Sequence, residues 1–387
     1  MKFETVTLGD ISINGKGSYG IAASAVPYSD NLYTYLRITD INDNGTLNKQ
    51  SLMSVDDENA EKYILKPNDI VFARTGGSTG RNYFYDGRDG EFVYAGFLIK
   101  FSIDENKVNP KFIKYYCLSN EYKGWVRSFN TGSTRGNINA RTYSNMPIKL
   151  PSRTQQDLLV RTLSVLDDKI ELNNKINKNL ELQAQAIYQE MMIDNSSDAW
   201  NKGKLSDIAV ITMGQSPKGD TYNENRIGTV FYQGRAEFSF RFPTRRLFTT
   251  EPKRMAEEND VLMSVRAPVG DLNVATESCC IGRGLAAIHS KDNHQSFVLY
   301  TMYAVKKQLN IFNGEGTVFG SINKDSLNNI DITIPDKDTL DKFEDIVAPM
   351  DTVIRNNYDE NCRLQNIRDS LLPRLMSGEI DVSKVKI

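Results

Sequence analysis

From Pro151 to about Asp194 the chain reads PSRTQQDLLVRTLSVLDDKIELNNKINKNLELQAQAIYQEMMID, and this stretch constrains the fold more than any other. Leu159, Leu163, Leu166, Ile170, Asn173, Asn177, Leu180, Ala184, Ile187 and Met191 follow one another at alternating spacings of 4 and 3. That is the seam of a helix packed lengthwise against another helix. At ~1.5 Å per residue it would run roughly 60 Å, too long for the interior of one globular domain and suited to a spacer. Ser152 behind Pro151 can cap its start with Gln155 three residues on, and the polar run Asn195-Ser196-Ser197-Asp198 closes it.

The partner helix lies 184 residues further along. That shift places Phe343, Val347, Met350, Ile354, Asn357, Asn361, Leu364 and Leu371 under Leu159, Leu163, Leu166, Ile170, Asn173, Asn177, Leu180 and Ile187. Upstream it aligns Gly136-Asn137-Ile138-Asn139 with Gly320-Ser321-Ile322-Asn323, and Met146 to Pro151 with Ile330 to Pro335. A strand-like alternation, a proline and a long helix therefore occur twice, and the chain consists of two related halves. If the helices run antiparallel with Asn173 opposite Asn361 and Asn177 opposite Asn357, the asparagines set the register; asparagines at a wet mid-seam or facing a partner protein are the competing reading. In that register Arg368 faces Leu166, a mismatch, and Pro373 is expected to end or kink the second helix.

The fold expected is α+β: two related strand-rich domains, residues 1–150 and 195–334, with spacer helices over 151–194 and 335–387, the latter including a tail. With 40% apolar and 25% charged residues among 387, the chain can bury a core without disulfides. Cys117, Cys279, Cys280 and Cys362 lack zinc-ligand spacing and read as packing residues. The absence of an apolar run long enough to span a bilayer and of a signal-like start leads to an expected cytoplasmic location. A formal net charge of -2 disfavours coating nucleic acid by bulk charge, but leaves local basic patches open.

Such patches are present. Asn68 to Arg74 reads as a turn feeding a buried strand, followed by Thr75-Gly76-Gly77-Ser78-Thr79-Gly80-Arg81. This run fails the Walker A template but offers backbone N–H groups, hydroxyls and an arginine for phosphates or base edges; a solvated turn fits equally. Tyr122 to Gln156 holds Lys123, Arg127, Arg135, Arg141, Lys149 and Arg153 and no acidic residue. In the second half, Glu258 to Arg266 echoes the Asn68 to Arg74 strand. Before it, Arg226 to Arg254 interleaves basic and aromatic residues; Phe238, Phe240 and Phe242 read as one buried strand face, leaving Arg235, Arg241, Arg245 and Arg246 for solvent or DNA.

No catalytic constellation stands out. His289 and His294 pair with no evident nucleophile or metal set, and Asn109-Pro110-Lys111-Phe112 only faintly matches an adenine methyltransferase motif, with no cofactor fingerprint upstream.

Leu166-Asp167-Asp168-Lys169-Ile170-Glu171-Leu172-Asn173-Asn174-Lys175-Ile176-Asn177, the segment Ser370 to Ile380, Met213 to Pro217 and Leu262 to Asp271 resemble the specificity (S) subunits of type I restriction-modification systems. The resemblance covers essentially the whole chain, with Arg74-Thr75-Gly76-Gly77-Ser78 replacing an Arg-Ala-Pro version in the first half. It implies a non-catalytic subunit whose two target-recognition domains each read half of a split, asymmetric double-stranded DNA site. Long antiparallel helices would separate the domains and dock two methyltransferase subunits, with restriction subunits added. It further implies no cofactor in this chain, with S-adenosylmethionine, ATP and Mg on the partners. The residues expected to touch DNA are Arg74, Ser78, Thr79, Arg81 and Arg135 in the first domain. In the second they are Gln215, Ser216, Lys218, Gln233, Arg235 and Arg266; strand packing would explain Arg74 and Arg266 as well. The alternative is a coiled-coil scaffold or protein-binding module without DNA readout.

Overall fold

The computed structural model describes residues 2–129, 136–313 and 320–382. They form two compact units, one made of 1–171 and 360–387, the other of 172–359. Each unit holds a globular body and part of each long helix, Arg153–Tyr188 and Lys337–Met376.

The bodies share one plan. In the first unit a four-stranded sheet runs Ser18–Tyr19, Leu98–Ser102, Asp69–Ala73, Asn82–Tyr85, and a second runs Ala25–Val26, Met53–Val55, Tyr33–Leu36, Phe92–Tyr94. The second unit orders Ala209–Met213, Leu285–Ser290, Val261–Ser264, Leu272–Val274 in the same way. Its other sheet runs Tyr222–Asn223, Leu247–Thr249, Thr229–Tyr232, Cys279–Ile281 and adds Met255–Ala256 at the edge. Among the described strands pairing is antiparallel except for Tyr33–Leu36 with Phe92–Tyr94 and Thr229–Tyr232 with Cys279–Ile281, and an isolated Ile21–Ala95 bridge is parallel too. A two-stranded ribbon joins each body to its helix: Phe3–Thr7 with Pro147–Pro151, and Asn201–Lys204 with Asp331–Ile334.

Local chemistry repeats with the topology. Before each central strand an asparagine takes the left-handed conformation, Asn68 at φ 73° and Asn259 at φ 72°, which asparagine tolerates better than most residues. The next residue closes the turn: Asp69 accepts from Lys66 N–H and Asp260 from Glu257 N–H, both at 2.8 Å. Asp69–Ala73 and Val261–Ser264 are buried throughout, as central strands covered on both faces must be. Short helices are capped alike, with Asn139 accepting from Thr142 N–H at 2.9 Å and Asn323 from Ser326 N–H at 2.8 Å.

The helix seams are buried within each unit. Leu159, Leu163, Leu372 and Leu375 pack into the first core, and Ala184, Tyr188, Phe343, Val347 and Ile354 into the second. In the second unit Asn357 Nδ2 donates to Asn177 Oδ1 at 2.8 Å, and Asn177 Nδ2 to the Ile354 carbonyl at 3.3 Å, which makes these helix segments antiparallel. Asn173 and Asn361 are buried as well.

Two expectations are corrected, and a third, the ending of the second helix at Pro373, in part. Pro373 does not end the second helix, which continues to Met376; Ser377 N–H still bonds the Pro373 carbonyl at 3.0 Å, because proline removes a donor but keeps its acceptor. Arg368 is not stranded on Leu166 but bonds Asp167 at 3.0 Å, beside Lys114 at 2.9 Å and the Tyr115 hydroxyl at 2.9 Å. Finally, Phe238 to Phe242 is not a strand. Phe242 is buried, Phe240 is exposed, and Arg241 between them is buried at φ 63°. Its guanidinium pairs with Asp351, reaches the Tyr300 hydroxyl at 3.1 Å and lies 3.8 Å from Glu181, so it is a core cation rather than a surface one. Burial alone would lower its pKa, but the charge of Asp351 and the Tyr300 contact hold it above the ordinary arginine value.

Candidate nucleic-acid interface

In the second unit, Ser216, Gln233, Gly234, Arg235, Ser264, Arg266, Ala267, Arg283 and Gly284 line one concavity. Four chain segments built by the sheets converge there, one of them carrying Ser216 just past strand Ala209–Met213. Strand Thr229–Tyr232 delivers Gln233, the central strand Val261–Ser264 delivers Arg266 two residues past its end, and the turn from Cys279–Ile281 to Leu285–Ser290 delivers Arg283. The segments approach so closely that glycine is required. A Cβ on Gly214 would stand 2.1 Å from the Gly282 carbonyl oxygen, and one on Gly282 2.7 Å from that of Gln233.

Hydrogen bonds fix the rims. Ser264 Oγ donates to the Pro268 carbonyl at 2.7 Å and accepts from Asp271 N–H at 2.9 Å, while Arg283 N–H donates to Ser216 Oγ at 3.2 Å. Arg235 Nε pairs with Asp271, which also takes Lys306 at 2.9 Å. Burial raises the Asp271 pKa, but hydrogen bonding and charge from Lys306 and then Arg235 outweigh it and hold the carboxyl below its ordinary value. Asp271 therefore anchors Arg235 as an anion and partly neutralises it.

Four of the six residues expected in this half, Ser216, Gln233, Arg235 and Arg266, thus meet at one place. Gln215 and Lys218 are exposed but do not line the concavity. Arg283 was not foreseen; its signal in sequence is an arginine framed by Gly282 and Gly284 directly after the apolar Cys279-Cys280-Ile281.

The first unit's residues do not gather in this way. Arg74 lies half-buried over the Tyr19 ring, 5.2 Å from its centroid. Ser78 is half-buried in the turn, and Thr79 Oγ1 sits 2.8 and 2.9 Å from the Gly76 and Gly136 carbonyl oxygens, which gives it a turn-building role. Arg81 donates to Asp43 at 2.6 Å and to the Ile41 carbonyl at 3.2 Å. Several N–H groups of the glycine-rich run are also satisfied internally, Thr79 by Gly76, Gly80 by Ala73 and Arg81 by Ser78. Arg135 lies outside the described residues.

Backbone pairing also shifts the expected correspondence between the halves by one residue. Arg74 N–H bonds the Phe97 carbonyl at 3.1 Å, as Val265 N–H bonds that of Gly284 at 2.9 Å. Thr75 bridges Asn137 as Arg266 bridges Ser321. The structural counterpart of Arg266 is therefore Thr75, not Arg74.

A family model, the type I restriction modification DNA specificity domain, matches residues 1–182 and again 197–367. The chain belongs to this family. Among proteins of the family, the "Putative type I restriction enzyme MjaX specificity subunit" of Methanocaldococcus jannaschii is 28% identical, over 84% of this chain and 81% of its own length. The HindI specificity subunit of Haemophilus influenzae is 22% identical, over 82% and 88%. The fold is similar to that of the type I restriction-modification S subunit from M. genitalium, at 16% identity and TM-score 0.55, covering 97% of this chain and 96% of that one. The two model matches coincide with the duplicated plan, and the concavity lies within the second of them. As a member of this family the chain is a DNA sequence-recognition subunit.

Proposed function

We propose that this chain reads a bipartite, asymmetric double-stranded DNA site, one half-site per unit, while partner subunits perform all the chemistry. The observation that carries the reading is the concavity where Gln233, Arg235, Arg266 and Arg283 converge in a chain of this family. A chain of net charge -2 cannot hold DNA by bulk attraction, so recognition has to come from local clusters of this kind. Two methyltransferase subunits dock on the long helices, with restriction subunits added. In support, Leu172, Ile176, Ile346 and Val353 of the second unit's helix segments are exposed apolar residues, as are Val165 and Ile367 of the first. The helices set the spacing between half-sites. S-adenosylmethionine, ATP and Mg belong to the partners in this reading.

The test is methylation sequencing of DNA from cells that carry this chain with a cognate adenine methyltransferase subunit. The expected outcome is a split methylated motif that disappears when this chain is omitted. A complex that forms but yields no motif, with DNA affinity absent or insensitive to salt, would favour the scaffold reading instead, since phosphate contacts make affinity fall steeply with salt.

A further inference from the structure

Among the described residues, four of the eight arginines of the second unit's body are held by carboxylates. Arg235 pairs with Asp271, Arg241 with Asp351, Arg245 with Glu277 at 2.6 Å and Arg246 with Glu237 at 2.6 Å. Of the four without a carboxylate among the described residues, Arg226, Arg254, Arg266 and Arg283, only the last two line the concavity. Both are exposed, both line the concavity, and among the described residues neither side chain has a protein acceptor. Their guanidinium groups are forks of donors delivered on rigid strand ends and left for an outside acceptor.

Two acceptors in DNA suit such a fork: the N7/O6 edge of guanine in the major groove, and a backbone phosphate. The neighbours favour the base edge. Gln233 brings an amide with both donor and acceptor to the same concavity. A phosphate offers only acceptors and would leave the amide oxygen unmatched, whereas a base pair offers both. Among the described residues no lysine lines this concavity, although lysine is a common point-charge partner of phosphate. The matched places in the first unit carry Thr75 for Arg266, and Gly96-Phe97 for Arg283-Gly284, so no guanidinium is provided there.

We propose that Arg266 and Arg283 read guanine in the half-site of the second unit, each fixing one G·C pair, with Gln233 facing an adjoining pair. The assignment rests on the DNA-reading function proposed above. It makes the second half-site guanine-dependent at specified positions through arginines whose matched places in the first unit hold Thr75 and Gly96.

Two experiments on the complete complex with its methyltransferase partner test it. In the first, methylated motifs are compared for the unaltered chain, Arg266→Ala and Arg283→Ala. Each substitution is expected to make one G·C position of one and the same half-site degenerate, by tenfold or more in preference, with the other half-site unchanged. Methylation lowered evenly with the motif intact would assign the arginines to phosphate and overturn the proposal, as would degeneracy at an A·T pair or in both half-sites. The second experiment leaves the protein unaltered, so it does not depend on the variants folding. Guanines of that half-site are replaced by 7-deazaguanine, which removes the N7 acceptor but keeps every phosphate, and affinity is expected to fall tenfold or more. Equal affinity for the two duplexes overturns the guanine assignment while the split motif still stands. A complex that yields no split motif at all removes the functional reading and this assignment with it.

Discussion

The two bodies are built on one scaffold and present different chemistry at the same turns. Past the central strand the second unit offers Arg266 where the first has Thr75, and at the next turn Arg283-Gly284 where the first has Gly96-Phe97. The first unit's exposed residues there are aromatic, Phe97 at 57% and Tyr19 at 41% exposure. What holds the scaffold is the same in both: an asparagine in the left-handed conformation, an aspartate closing the turn behind it, an asparagine-capped short helix and a two-stranded ribbon. These features lie in the backbone and one turn away from it, so the side chains at the rim can change without cost to the core. The difference teaches that in this protein fold and reading surface are separable.

The largest effect that would break the comparison concerns how each body is tied down. Arg241 is buried between Asp351, Glu181 and Tyr300 in the second unit. Arg241→Ala leaves the buried Glu181 and the half-buried Asp351 without their cation, at a cost of about 3–5 kcal/mol. Urea unfolding should show the second unit melting first, with the first unit's transition unmoved; a loss below about 1 kcal/mol would place Arg241 at the surface after all.

Asp167 plays the corresponding part in the first unit, beside Lys114, Arg368 and Tyr115. Asp167→Asn is expected to destabilise that unit by about 2–3 kcal/mol at neutral pH, less than a fully buried pair because the group keeps some access to water. Burial pushes the Asp167 carboxyl up, but Lys114 and Arg368 together bring it below its ordinary 3.8. A folded pKa below the unfolded one makes this contribution fully present above about pH 4 and lost as pH falls through the depressed folded value. The stability difference between parent and Asp167→Asn should therefore close below about pH 4, and thermal unfolding across pH 2 to 7 checks it.

At the reading surface, Phe97→Ala is expected to weaken recognition of the first half-site about tenfold, roughly 1.4 kcal/mol, with unfolding unchanged. Relaxation of the second half-site instead would break the pairing of unit with half-site, and the methylated motif reports which occurs.

The smallest effect sharpens the claim of a shared scaffold. Asn139→Ala and Asn323→Ala should each cost about 1 kcal/mol, because each removes the same cap from the same short helix. Clearly unequal losses in unfolding would show that the duplicated geometry is not energetically equivalent.

Much of this was legible in the residues. The alternating 4 and 3 spacing foretold the helices, and the shift of 184 foretold the duplication, because both are carried by residues whose burial repeats at fixed intervals. The Asn68 and Asn259 turns were visible for the same local reason. The rim was only half legible. Gln233, Arg235 and Arg266 were picked out by type, but nothing in sequence joined Arg283 to them, since it lies 17 residues past Arg266 and reaches the concavity only through strand pairing. The aromatic alternation at Phe238, Phe240 and Phe242 misled, because an alternating pattern fits a strand wherever it occurs and Arg241 turns inward on a left-handed backbone that alternation cannot reveal.

By itself the sequence determined two long seamed helices, a repeated strand-rich body and the family of the chain, since periodicity and motif are local properties that survive without tertiary information. Only the tertiary structure decided which arginines are captive and which are free. Arg241 and Arg266 are the same residue type in basic or strand-end segments, and what separates them is a carboxylate 110 residues away, Asp351, brought to the first and not to the second. Charge pairing depends on distance in space, and distance in space is what the folded sheets and helices supply.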